Sequence, residues 1–241
     1  MKTQFKRFLS MDNPKAIKAQ AYGYLNAINY MAPHTSGGVG DLCGKASAGC
    51  IRLCLGEHSG QAAMSVVVRD SRKRKAAYFM RERKTFMAEF VYHIERAQAE
   101  TYKSLLELAI RPNGSTDIPF EAIACERNGR SFRNLMEAFP DVQFVDYTKH
   151  AKRFKKELPP NYHLTFSRSE TNEADCVTLL SNGFNVAAVF NGPLPDSYLS
   201  FPVINGDLHD LRHLDPKGVI IGLSPKGSRA KRDTSGFVIR Q

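Results

Sequence analysis

An α/β fold on a parallel sheet, a TIM-like β/α barrel, complete or incomplete, is the architecture this sequence predicts. Three observations predict it. Short apolar runs alternate with helix-length segments through the second half, which is the rhythm of βαβ units. Together with one run near the start they number seven, close to the eight strands of a closed barrel. No glycine-rich dinucleotide fingerprint follows any of them, which removes the main argument for a doubly wound open sheet.

The elements follow in order. Residues 1–20 read as a basic N-terminal extension with no apolar run long enough for a secretory signal. "YGYLNAINYM" supplies the first strand, and a cysteine loop occupies residues 30–60. From about Gln61 to Lys103 the pattern is helical, with Phe86, Phe90 and Ile94 at four-residue spacing. The polar break in "MRERKTF" divides this stretch into two helices. The remaining strands are "LELAIRP", "VQFVDY", "YHLTFS", "NVAAVF", "FPVI" and "GVIIGL". Between them "SFRNLMEAF", "HAKRFKKEL" and "NEADCVTLLSNG" read as helices, the last capped by Asn172 and followed by Gly183. No linker or repeat interrupts the chain, so a single domain over 1–241 is expected, with right-handed crossovers.

The 241 residues carry a formal charge of +10, which favours an anionic partner, nucleic acid first. DNA and RNA are not distinguished. The positive charge is clustered: Arg69, Arg72, Lys73, Arg74 and Lys75 form the first group, and "RERK", "KHAKRFKK" and "KGSRAKR" add others. A solvated helix face is the competing explanation for such runs. No stretch approaches the length of a membrane span. A cytoplasmic protein is expected, where thiols stay reduced and metal or redox roles outrank disulfides.

Almost every apolar run ends in a reactive-looking group. Arg111 and Asp117 follow one strand, Asp146 and Lys149 another, and Arg168 and Glu170 a third; Asp207 and Lys226 follow the last two. In a parallel barrel these C-terminal ends meet on one face, where such folds place their sites. Turn chemistry explains the Asn, Asp and Ser residues among them, but not Arg111, Arg168, Glu170 or Lys226.

Three of five cysteines, Cys43, Cys50 and Cys54, fall in "CGKASAGCIRLC" with the spacing C-x6-C-x3-C. One helical turn would set Cys50 and Cys54 on one side, and Gly44 and Gly49 would let Cys43 fold back. Thiolates suit iron–sulfur clusters and zinc. Zinc wants four ligands, with His58 or His34 as the fourth, and the paired C-x2-C knuckle is missing, so zinc ranks second. A four-iron cubane on three thiolates leaves one iron open, and a three-iron cluster needs no fourth ligand. Cys125 and Cys176 lie far away; Cys176 reads as a buried apolar residue, and Cys125 reads either the same way or as a fourth ligand brought in by folding.

A three-cysteine loop after the first strand of a barrel resembles that of the radical S-adenosylmethionine enzymes. The resemblance implies a four-iron cluster with adenosylmethionine on its open iron. Their C-x3-C-x2-C spacing and glycine–glycine–acid motif are not reproduced here. More closely, "YGYLNAINYMAP", "RPNGSTDI", "FPDVQFVDYTK", "NYHLTFSRSETN" and "GDLHDLRHLDPKGVIIGL" resemble the phage and prophage gene eighty-eight product family. That resemblance implies a viral origin, hence a host cytoplasm, and a cluster on the three cysteines, but no activity.

Three functions compete. The first is an iron–sulfur barrel protein that contacts nucleic acid, radical-type if it is an enzyme. The second is a divalent-metal nuclease using Asp117, Asp146, Glu170, Asp207 and Asp210, with the cluster or zinc structural. The third is a non-catalytic nucleic-acid-binding accessory protein stabilised by a cluster or zinc.

Overall fold

In the computed structural model, residues 3–240 are described. In chain order, α1 (Pro14–Ala19) precedes β1 (Tyr24–Ile28), and the cysteine loop carries α2 (Ala48–Arg52) and α3 (Gly60–Met64). The long helices α4 (Val66–Arg81) and α5 (Arg83–Ser104) lead into β2 (Glu107–Arg111), the hairpin β3 (Cys125–Arg127) and β4 (Arg130–Phe132), and α6 (Leu135–Ala138). Then come β5 (Gln143–Thr148), β6 (Tyr162–Ser167), α7 (Glu173–Ser181) and β7 (Val186–Asn191). The chain closes with β8 (Ser197–Tyr198), β9 (Phe201–Asn205), β10 (Ile220–Leu223), α8 (Gly227–Lys231) and β11 (Val238–Arg240).

All seven apolar runs are strands of one sheet in the order β1-β2-β5-β6-β7-β10-β9-β8, with β11 beside β7. Every pair is parallel except β8 with β9. The α/β class therefore holds, but the barrel is not closed: among the described residues no ladder joins β1 to β8 or β9. The outer edge of β1 takes only a bridge between Ser10 and Ile28. The other edge turns back in the β8–β9 hairpin.

Strand alternation gives the sheet two unlike faces. On one, Leu108, Ile110, Phe144, Leu164 and Phe166 join the main core beneath α4 and α5. The four-residue row Phe86, Phe90 and Ile94 is fully buried there. Phe8 of the N-terminal segment stacks on it, its ring centre 4.9 Å from Phe86 and 5.2 Å from Phe90. The break between the helices is at Glu82, and Ser65 caps α4 by accepting from Val68 N–H.

The other face is crossed by residues 207–215. Leu211 packs with Ala19 and Ala109, and His213 lies edge-on to Tyr24 with ring centres 4.9 Å apart. Arg212 is fully buried beside Asp215. This segment covers part of that face of the open sheet.

Two expected helices are single turns. In "SFRNLMEAF" only Leu135–Ala138 is helical, because Asn134 caps it late and Pro140 disfavours helix at the residue before it. "HAKRFKKEL" makes a 3-10 turn, Ala151–Lys155, ahead of Pro159 and Pro160. Asn172 precedes α7 as expected but does not cap it: its Oδ1 accepts from Ser169 N–H instead.

Candidate functional site

The C-terminal ends of the parallel strands open into a cavity of about 1150 Å³. Cys43, Cys50 and Cys54 all line it, with Arg111, Lys149 and Ser167 from the ends of β2, β5 and β6. This is the edge at which parallel sheets bind ligands.

The cysteine loop is held by polar contacts at each end. Asp41 Oδ1 accepts from Cys43 N–H at 2.8 Å. Ser47 caps α2 by accepting from Cys50 N–H. Glu170, at the end of β6, fixes that cap: its carboxylate accepts from Ser47 Oγ and from Gly49 N–H, both at 2.7 Å. Burial alone would raise the Glu170 carboxyl, but these hydrogen bonds outweigh it and hold the group below its usual range. Gly49 is needed for space rather than for unusual backbone angles. A Cβ there would sit 2.8 Å from Glu170 Oε2, Phe237 Cβ and Ser235 Oγ. Gly44 meets nothing within 4 Å.

Two of the sulfurs already receive backbone donors. His34, at φ +36°, directs its N–H to Cys43 Sγ at 3.3 Å, and Gly56 N–H donates to Cys54. Burial pushes the Cys43 thiol up to about 12 and the Cys54 thiol up to about 11. Cys43 feels the charge of both other thiols, and Cys54 that of Cys50. The Lys149 ammonium acts on Cys54 in the opposite sense, favouring its thiolate. Cys125 and Cys176 are both buried in the main core, so Cys176 is the apolar residue expected and Cys125 is not brought to the loop as a fourth ligand.

Of the candidate catalytic residues, Arg111, Asp117, Lys149, Arg168, Asp207 and Lys226 line the cavity. Asp146 and Glu170 do not. Asp146 is fully buried, accepting from Asn113 Nδ2 at 2.6 Å, Asn113 N–H at 3.1 Å and the Tyr162 hydroxyl at 3.2 Å. Burial pushes its carboxyl up to about 7, against the pull of Arg111, Arg153 and Asn113. Asn113 in turn ties Thr116 and Ile118, which shapes the loop whose Ser115 carbonyl lies 3.7 Å from Cys43 Sγ. Asp146 thus positions the loop facing the cysteines.

The cavity's cations differ in how far they are neutralised. Arg111 pairs with Asp210 at 3.5 Å and stacks on Tyr147. Lys226 pairs with Asp207 at 3.0 Å at the rim. Arg168 donates to the Gly236 and Phe237 carbonyls and lies 3.7 Å from Glu173. Lys149 Nζ donates to Ser167 Oγ at 3.0 Å, and among the described residues it forms no ion pair. Asp117 is committed to Lys149 N–H and to Arg153. The five carboxylates of the nuclease expectation therefore have separate partners. Among the described residues no three His, Cys, Asp or Glu side chains gather as one metal ion would require. His34 Nε2 faces Glu57 at 3.0 Å instead of the thiols.

The basic run of α4 divides by helical phase. Lys73 and Arg74 are exposed, whereas Arg72 and Lys75 turn inward and line the cavity. Arg69 donates to the Ala62 and Ala63 carbonyls at the end of α3. Arg153, inside the second basic run, is also buried, between Asp117 and Glu121. Sequence reasoning missed the supporting residues Ser47 and Gly56, and it took His34 as a candidate zinc ligand and Asn113 as a polar strand-end residue rather than as supports of the cysteine loop. Only Ser47 carried a local signal, a serine three residues before Cys50 at the start of a helical turn.

No described helix is long and apolar enough to cross a membrane. No curated protein and no solved structure matches the chain. A family model does match, described as Gene product 88, and it spans residues 7–241. That match takes in β1, the cysteine loop and every strand end around the cavity, and the chain belongs to the Gene product 88 family.

Proposed function

We propose that the chain carries an iron–sulfur cluster on Cys43, Cys50 and Cys54 and acts with it on an anionic ligand in the strand-end cavity. The observation that carries this reading is that three thiols of one loop line a single cavity at the C-terminal edge of a parallel sheet. Further support comes from the N–H groups of His34 and Gly56 at two of the sulfurs, since such bonds tune cluster thiolates. A cluster spreads its thiolates over several irons, so it does not require the tight convergence that a zinc ion does. With Cys125 and Cys176 in the core, three protein thiolates leave a four-iron cluster one open position, or hold a three-iron cluster. When bound, the group supplies an electron or that open position to the ligand.

The chain's own residues do the rest. Lys149 and Arg111 attract and orient an acid group. Ser167 holds the Lys149 ammonium in place. Glu170 and Asp146 fix the two loops that meet at Cys43. The open sheet, with residues 207–215 across its inner face, acts as an incomplete β/α barrel whose mouth is the site. Lys73 and Arg74, outside the cavity, form the surface on which nucleic acid phosphates would be met.

Anaerobic reconstitution with iron and sulfide, followed by metal analysis and electron paramagnetic resonance, tests the reading. We expect bound iron with broad visible absorption, lost in Cys43→Ala, Cys50→Ala and Cys54→Ala but retained in Cys125→Ala and Cys176→Ala. A colourless wild-type protein overturns it, and stoichiometric zinc in place of iron moves the conclusion to the zinc-stabilised accessory protein. Reductive cleavage of adenosylmethionine separates radical chemistry from other uses of the cluster.

A further inference from the structure

Val68, Ser71, Arg72 and Lys75 recur at helical spacing along α4, and all four line the cavity. Lys75 is unlike the other cations there. Its side chain is buried, 5% exposed, and its Nζ lies 4.7 Å from the Phe8 ring centre and 5.6 Å from that of Phe5. It donates to the Phe8 carbonyl, and among the described residues it forms no ion pair. The charged groups around it are Arg72 on its own helix and Glu89 and His93 of α5. Glu89 is occupied by the backbone N–H groups of Gln4 and Phe5. An amine desolvated in an aromatic niche beside another cation has both features that make lysines nucleophilic.

We propose that Lys75 is a covalent anchoring site, forming an imine with a carbonyl compound that carries a carboxylate or phosphate. Arg72, one turn earlier on the same face, is the group that receives the acid. In the step the Nζ lone pair adds to the carbonyl carbon. The C=O bond is then replaced by C=N, and both amine hydrogens leave with the carbonyl oxygen as water. No electrons are exchanged, so no oxidant or reductant is needed. Burial pulls the Lys75 amine down to about 7, against the attraction of Glu89 and with the help of Arg72. An ordinary lysine, near 10.4, keeps well under 1% of its amine free at neutral pH.

The test is borohydride trapping on the full chain with pyruvate as probe, read by intact mass and peptide mapping. Exposed Lys73, two residues away, is the internal reference. At pH 7 Lys75 should be trapped at least about tenfold faster than Lys73, with a pH midpoint near 7 for Lys75. Lys75→Arg should abolish this adduct while still donating to the Phe8 carbonyl. Trapping at Lys73 with Lys75 unmodified, or equal rates at both, overturns the proposal, and the wild-type ratio decides even if the variant fails to fold. The assay reads an amine and not iron, so it stands or falls apart from the cluster.

Discussion

Removing the Glu170 carboxylate should loosen the cysteine loop without unfolding the protein. Glu170 accepts from Ser47 Oγ and Gly49 N–H, both at 2.7 Å, and these two residues start the helix that carries Cys50. A hydrogen bond to a charged group contributes about 1.5–3 kcal/mol when well buried. Glu170 is only half-buried, so we take ~2 kcal/mol for the pair together, discounting for solvent. That corresponds to a roughly 30-fold shift in a local opening equilibrium. In Glu170→Ala, amide hydrogen exchange at Ile51 and Leu53, which donate to the Ser47 and Gly49 carbonyls, should accelerate by that factor. Exchange in α5 should not change. Unaltered exchange at Ile51 and Leu53, or equal acceleration in α5, refutes the assignment of Glu170 as the anchor of this loop.

Gly49→Ala should lower thermal stability by about 1–3 kcal/mol through overpacking against Phe237, Ser235 and Glu170, whereas Gly44→Ala should leave the melting temperature unchanged. Asp146 binds its proton more tightly folded than unfolded, so its contribution is fully present below about pH 4 and declines as pH rises towards about 7. Denaturant titrations across that window should show a negative slope of at most ~1.4 kcal/mol per pH unit that is absent in Asp146→Asn. If Lys73 and Arg74 meet phosphates, the double variant Lys73→Ala/Arg74→Ala should reduce the slope of log affinity against log salt by about 2 at unchanged stability. An unaltered slope removes α4 from the nucleic-acid surface.

Local pattern carried most of the architecture. Six of the seven apolar runs are rich in β-branched or aromatic residues; the seventh, LELAIRP, has only Ile110 of that kind and is read as a strand from its place in the βαβ rhythm. The Phe86, Phe90 and Ile94 row reports one buried helix face in the same way. The short hairpin of β3 and β4 and the terminal β11 were not legible, because three-residue strands exist only through their partners. Clustered cysteines and polar strand ends pointed to the strand-end cavity, because parallel strands bring their C-terminal ends together by topology alone.

The sequence by itself determined an α/β chain with a three-cysteine loop after its first strand and a line of charged residues at its strand ends. Tertiary structure decided which charges, at the strand ends and on α4, face the cavity. Arg72 and Lys75 turn into the cavity while Lys73 and Arg74 face out, and Asp146 sinks beneath the site as a loop anchor. Tertiary structure also left the sheet open, with residues 207–215 across its inner face. The physical reason is range. Strand and helix periodicity depends on residues within a few positions, whereas the direction of a long cation and the closing of a sheet depend on partners a hundred residues away.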